Sequence, residues 1–262
     1  DIGLKEALSL TLGGIGAMKP VAMPVHEVCG LVASEDLAAV VDCPSATSSL
    51  RDGYAVMSVD IEKATPENGI PLTVSGVLAA GDPTQKTVGP GEAVQVLTGA
   101  AMPKGADAVV SVEFTELQGD RVVCYRDAPP GCNLLFRGSD VAAHGLIVQR
   151  GQAITPALTG LLAAGGLDQV MVHPSPRVAV VATGDEVVAP GSPLRSGQLY
   201  ASNIVTLNAW LRHFRMEGGM AVVRDHPREL EKTFRRLLAG NDALLTSGGA
   251  WKSERDLTTK VL

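Results

Sequence analysis

Apolar residues open the chain at helical spacing: Leu4, Leu8, Leu12 and Ile15 share a face, which predicts an amphipathic helix over 4–17 closed by Gly13-Gly14-Ile15-Gly16. Between Pro20 and Pro44 short β-like runs alternate with turns. From 45 to 132 the apolar runs have strand length, at 54–57, 72–74, 93–97, 108–112 and 121–124. Breaker clusters such as Ala80-Gly81-Asp82-Pro83 and Met102-Pro103-Lys104-Gly105 separate them, so the pattern predicts a compact all-β unit. Thr155 followed by Pro156 then marks a helix start, and Gly165-Gly166 its end.

After Pro174 and Pro176 the rhythm changes. Residues 177–182 (Arg-Val-Ala-Val-Val-Ala) read as a buried strand, and 202–214 as a helix with Leu207, Trp210, Leu211 and Phe214 facing inward. A strand at 220–223, a helix at 227–239 and a strand at 243–246 complete the alternation. Strands alternating with helices of this length predict a parallel, doubly wound α/β sheet. Three strands with two full helices are few for such a sheet, so the domain is expected to be cut at Leu262; the missing initiator Met suggests a start inside a longer chain.

Composition narrows the function. At 262 residues the chain has room for one or two domains of ordinary size. A formal charge of −6 argues against nucleic-acid binding through phosphates, and 3% aromatic content against a stacking platform. The 29 glycines and 16 prolines exceed the usual share of about 12% and imply many tight turns. No apolar run has the length of a membrane span and the N-terminus lacks signal-peptide character, so a cytoplasmic protein without membrane association is expected. Cys29, Cys43, Cys124 and Cys132 form no C-x-x-C pair and are expected as free thiols; the five histidines form no H-x-x-x-H pair.

In open α/β sheets ligands settle beyond the carboxyl ends of the strands. Here the three predicted strands run into Thr183-Gly184-Asp185-Glu186, Arg224-Asp225 and Ser247-Gly248-Gly249. A glycine pair there is either an ordinary turn or a place where backbone N–H groups approach a phosphate. Glu186 and Asp225 are either solvated loop carboxylates or oxygen ligands of Mg2+; Asp225 has helix capping as a third reading. Ser202-Asn203 reads as a helix N-cap or as a ligand contact.

Seven separated motifs, taken in order, resemble the molybdopterin molybdenumtransferase family (MoeA, and the E domain of gephyrin and its plant counterparts). They are Asp52-Gly53-Tyr54-Ala55-Val56; Thr98-Gly99-Ala100 through Gly105-Ala106-Asp107-Ala108-Val109-Val110, ending near Glu113; Arg137-Gly138-Ser139-Asp140-Val141; Thr183-Gly184-Asp185-Glu186-Val187; Gly197-Gln198 with Ser202-Asn203; Asp225; and Ser247-Gly248-Gly249 with Asp256. The α/β motifs are shared with molybdopterin adenylyltransferases and CinA-like proteins, but a CinA-like hydrolase leaves the first 170 residues unexplained. Arg51 stands where the family has Met, and Ala250-Trp251-Lys252-Ser253 where it has Val-Ser-Val-Gly.

The resemblance implies an α/β and β multidomain fold. Residues 1–45 with 133–173 would form an elongated MoeA-type N-terminal region, 46–132 an inserted β domain, and 174–262 part of a doubly wound parallel α/β domain of the MoaB/Mog type. It implies Mg2+-dependent insertion of molybdate into adenylated molybdopterin with release of AMP, by a homodimer supplied by a molybdopterin adenylyltransferase. Asp52 and Asp140 of one chain would act with Glu186, Asp225 and Asp256 of the other, the last three holding the metal. Thr98, Thr183, Gly184, Ser202, Asn203, Ser247, Gly248 and Gly249 would bind the pterin nucleotide. A divergent, non-catalytic dimeric scaffold or pterin-binding paralogue is the alternative.

Overall fold

The computed structural model describes residues 2–83 and 86–248. The chain divides into two compact units: Met23–Cys29 with Glu35–Val170, and Asp1–Ala22 with Gly30–Ser34 and Met171–Leu262. Among the described residues no helix is long and apolar enough to cross a membrane.

The first of these units is built on a six-stranded sheet: β1 (Gly53–Val56), β2 (Ile70–Leu78), β3 (Glu92–Val96), β4 (Ala108–Ser111), β5 (Thr115–Gln118) and β6 (Arg121–Cys124). Their order is β4-β1-β3-β2-β6-β5, with β2 and β3 parallel and the other pairs antiparallel. The period-2 alternation of β1 divides its side chains between two cores. Tyr54 and Val56 pack with Leu72, Val110 and Val122, while Ala55 packs on the other face with Val94, Val96 and Val109. Cys124 lies inside the first core, and burial pushes its thiol up to about 11. In the same unit, the helix Pro156–Ala164 begins as its sequence dictates, with the Thr155 hydroxyl accepting from the Leu158 N–H at 3.3 Å.

The second unit carries α1 (Leu4–Gly14), shorter than the 4–17 expected, with Leu4, Leu8, Leu10 and Leu12 all exposed. Its core is a parallel sheet of β7 (Val178–Thr183), β8 (Met220–Val223) and β9 (Ala243–Ser247) in the order β8-β7-β9. Every residue of β7 is buried, as a central parallel strand covered on both faces requires. Helix α2 (Ser202–His213) packs Ile204 and Leu211 on Val178, Val180 and Ala182, and α3 (Pro227–Leu238) packs Leu230 and Phe234 on Val181 and Val223. The inward face of α2 differs from the expected one. Trp210 and Phe214 remain 57% and 58% exposed and stack on each other, with ring centroids 5.9 Å apart. The stripe Ile204–Leu207–Leu211 already fills the contact with the sheet, and residues 210 and 214 fall on the neighbouring stripe of the 3.6-residue helix.

Candidate functional site

Each unit assembles part of the expected constellation. In the α/β unit the carboxyl end of β7 carries Thr183, which is 3% exposed and whose hydroxyl has no hydrogen-bond partner among the described residues. A buried, unpartnered hydroxyl is unfavourable by about 1–3 kcal/mol, so this one is a candidate ligand contact. Glycines flank it. Gly248, with φ +105°, follows β9 so closely that a Cβ would stand 2.5 Å from the Thr183 carbonyl oxygen and 3.0 Å from its hydroxyl. Gly184, with φ +144°, leaves room for the Glu186 carboxylate, whose two oxygens would lie 2.7 Å from a Cβ there. Gly248 is thus required by conformation and by space, and Gly184 by its conformation.

Asn203 reaches this strand end by donating its Nδ2–H to the Ser247 hydroxyl at 3.2 Å. The capping reading of Ser202-Asn203 is corrected. The N-cap position of α2 is Ala201, there is no side-chain cap bond, and both residues lie in the first turn. The uncapped N–H groups of that turn are anion-binding in character. Nor does Asp225 occupy the cap of α3, which falls on His226 without a side-chain cap bond. Asp225 is half-buried two residues after β8, and Glu186 is exposed three residues after the adjacent β7. Gly249, Asp256 and the loop 250–253 lie outside the described residues.

No group of three or more His, Cys, Asp or Glu residues forms a metal cage among the described residues. That excludes an all-protein cage there.

In the β-rich unit the loop before β1 presents Asp52. Thr98 donates both its backbone N–H and its hydroxyl to Asp52 Oδ1, each at 2.7 Å. These bonds, the hydroxyl first, hold the Asp52 carboxyl below its ordinary value. Arg51 forms no ion pair with Asp52 among the described residues; its charge is felt at Glu113, which is held low chiefly by bonds from the Ser111 side chain and from its own backbone N–H. The remaining acid, Asp140, follows the turn at Gly138 (φ +71°). Its N–H donates to the Cys43 carbonyl at 2.9 Å, and the Cys43 thiol faces Asp140 Oδ2 at 3.7 Å. Burial first, and then the Asp140 charge, pushes the Cys43 thiol up. Cys43 was read from sequence only as a free thiol, because no local spacing signals a partner 97 residues away.

Two variants test these roles. Thr183→Val keeps the shape and removes the unpartnered hydroxyl. The folded chain should keep or gain stability, by about 1 kcal/mol in urea denaturation. A loss of that size would instead show that the hydroxyl is used structurally. Thr98→Val should raise the Asp52 carboxyl toward the ordinary range in a carbon-detected NMR titration. Because the folded value is depressed, the stabilisation by Asp52 is present above the unfolded carboxylate range and fades as pH falls through the folded value. In Thr98→Val the stabilisation should be smaller and its loss complete at a higher pH, while the onset, set by the unfolded chain, stays where it was.

Comparison with known proteins agrees with both units. The family described as "MoeA N-terminal region (domain I and II)" matches residues 2–166, and "Probable molybdopterin binding domain" matches 179–262. The chain is 38% identical over 238 residues to molybdopterin molybdenumtransferase 2 of Mycobacterium tuberculosis, covering 89% of this chain and 58% of that protein. It is 33% identical over 240 residues to the molybdopterin molybdenumtransferase of Haemophilus influenzae, covering 91% and 58%. The crystal structure of a molybdopterin biosynthesis MoeA protein from Pyrococcus horikoshii superposes with a TM-score of 0.78 at 32% identity, over 99% of this chain and 66% of that one. The chain therefore spans under two thirds of the length of these relatives. With a match running through most of its residues and the same fold beneath it, the chain belongs to the MoeA family of molybdopterin molybdenumtransferases.

Proposed function

We propose that the chain acts in molybdenum cofactor biosynthesis, inserting molybdate into adenylated molybdopterin with release of AMP. The observation that carries this reading is the buried Thr183 hydroxyl, without a partner among the described residues, between Gly184 and Gly248 at a strand end where open α/β sheets place ligands. Thr183 donates its hydroxyl to a substrate phosphate oxygen. The Gly248 backbone and the first turn of α2 supply N–H groups to the same anion, and Asn203 with Ser247 fixes the adjacent wall. Glu186 and Asp225 hold Mg2+, with Asp256 as the expected third ligand. Mg2+, when bound, neutralises charge on the phosphoanhydride that is cleaved as AMP leaves. No protein nucleophile is required, since positioned charge performs this chemistry.

The protein works as a cytoplasmic homodimer supplied by a molybdopterin adenylyltransferase, Asp52 and Asp140 of one protomer meeting the α/β site of its partner. Residues 46–132 act as an inserted domain between the halves of the N-terminal region, 1–45 and 133–173, ahead of the α/β domain at 174–262. Calorimetric titration with adenylated molybdopterin tests the reading. Binding should be saturable with Mg2+ and should weaken when EDTA removes it, and Thr183→Val should bind about tenfold more weakly. Binding indifferent to both changes overturns the proposal. Light scattering at micromolar concentration should give a dimer mass.

A further inference from the structure

A second feature of the α/β unit lies at the other end of its sheet. Arg177, Arg212 and Arg215 line one open cavity of about 940 Å3 with Glu217, Gly218 and Gly219. Arg177 precedes β7 and Gly219 precedes β8, whereas Thr183 ends β7 and Asp225 follows β8. A strand's length, roughly 20 Å, separates the two places.

The cavity is built from segments held in place for separate reasons. Arg177 is fixed by its backbone, its N–H donating to Asp242 Oδ2 at 2.7 Å and its carbonyl accepting from the Asp242 N–H at 2.7 Å. Arg212 stands in the last turn of α2, where a cation also favours the helix dipole. That effect accounts for Arg212 alone. Arg215 follows the helix in the left-handed region, at φ +60°, uncommon for a residue with a side chain. Its guanidinium lies on the bare backbone of Gly30, where a Cβ would overlap it. Gly218 runs so near β7 that a Cβ would overlap the Val178 carbonyl oxygen, so the cavity floor is tied to the central strand.

Three arginines thus line one space with Glu217, and the nearby Asp242 carboxylate is held by the Arg177 backbone rather than by its guanidinium, in a chain whose net charge is −6. Among the described residues, neither Arg177 nor Arg212 has a carboxylate within ion-pair distance. Guanidinium forks match the oxygens of a phosphate group two at a time, and the volume is that of a small-molecule site. We propose that this cavity binds a phosphate group, either as a free phosphate-type anion or as the phosphate end of a small metabolite. The inference does not rest on the pterin reading of the opposite sheet end.

The test is calorimetric titration of the chain with pyrophosphate, inorganic phosphate and AMP at fixed ionic strength. Pyrophosphate should bind saturably to the Thr183→Val chain, from which the phosphate contact at the opposite sheet end has been removed, and about tenfold more weakly when Arg177→Gln or Arg212→Gln is added to it. Tighter binding of AMP than of inorganic phosphate identifies a phosphorylated metabolite as the source; equal binding identifies the free anion. The proposal is overturned if the Thr183→Val chain shows no saturable binding, or if adding the arginine substitutions leaves that binding unchanged. It also fails if added chloride alone displaces the ligand as the arginine substitutions do.

Discussion

Gly53→Ala should destabilise the β-rich unit by about 3 kcal/mol or more, a large value for one methyl group. Gly53 belongs to β1, hydrogen-bonded between β3 and β4, and pairs with Ser111 of β4. The Val110 carbonyl oxygen passes so near its Cα that a Cβ would overlap it, and the obstacle is backbone rather than a side chain able to turn away. Accommodation therefore requires β1 and β4 to separate, with loss of pairing between Ala55 and Val109 in the core. Where space allows, Gly→Ala stabilises by about 0.4–1 kcal/mol through the unfolded chain, so the sign of the effect decides the matter. Urea denaturation should show the loss. NMR should show the Asp52 carboxyl returning toward its ordinary value as Asp52 moves off Thr98. A variant as stable as the parent would show that the close approach is not a constraint.

This explains what the Asp-Gly-Tyr-Ala motif is for, and also how much of it was legible. Its glycine sits in an extended strand where a sequence reading finds no turn, and only the sheet order reveals the neighbour. The apolar run at 54–57 did announce a strand, and the structure buries it on both faces. So did the runs that became β3, β4, β6, β7, β8 and β9. The edge strand β5 was missed because Thr115-Glu116-Leu117-Gln118 leaves three of four residues exposed, so burial writes no alternating pattern there. Strand β2 is nine residues long where three were read. Gly76 at φ +153° marks a register shift after Val74 that breaks the period.

The site was legible to a different degree. The glycines and carboxylates at the three strand ends could be singled out from sequence because each follows a predicted strand of an open α/β sheet. The bonds from Thr98 to Asp52, across 46 residues, and the Cys43 contact with Asp140, across 97, depend on tertiary folding. Resemblance supplied the first pair, and nothing supplied the second.

Replacing Glu186 or Asp225 should remove most of the Mg2+ dependence of substrate binding while leaving the fold intact. Glu186→Gln keeps the shape that lies over Gly184, and Asp225→Asn keeps the volume after β8, so neither change opens a cavity. Each removes a formal negative oxygen, the donor that a small hard cation requires. Calorimetry across a Mg2+ series should show the metal-enhanced affinity falling by about 10–100-fold in either variant, with the metal-free affinity nearly unchanged. If both carboxylates serve one ion, the double variant should lose little more than the worse single variant, because the second substitution acts on a site already emptied. Losses that simply multiply would place the two acids in separate roles, and an undiminished Mg2+ response in both variants would remove them from the metal altogether. The same titration separates metal from pterin: Thr183→Val should weaken binding at every Mg2+ concentration, lowering the whole curve rather than flattening it.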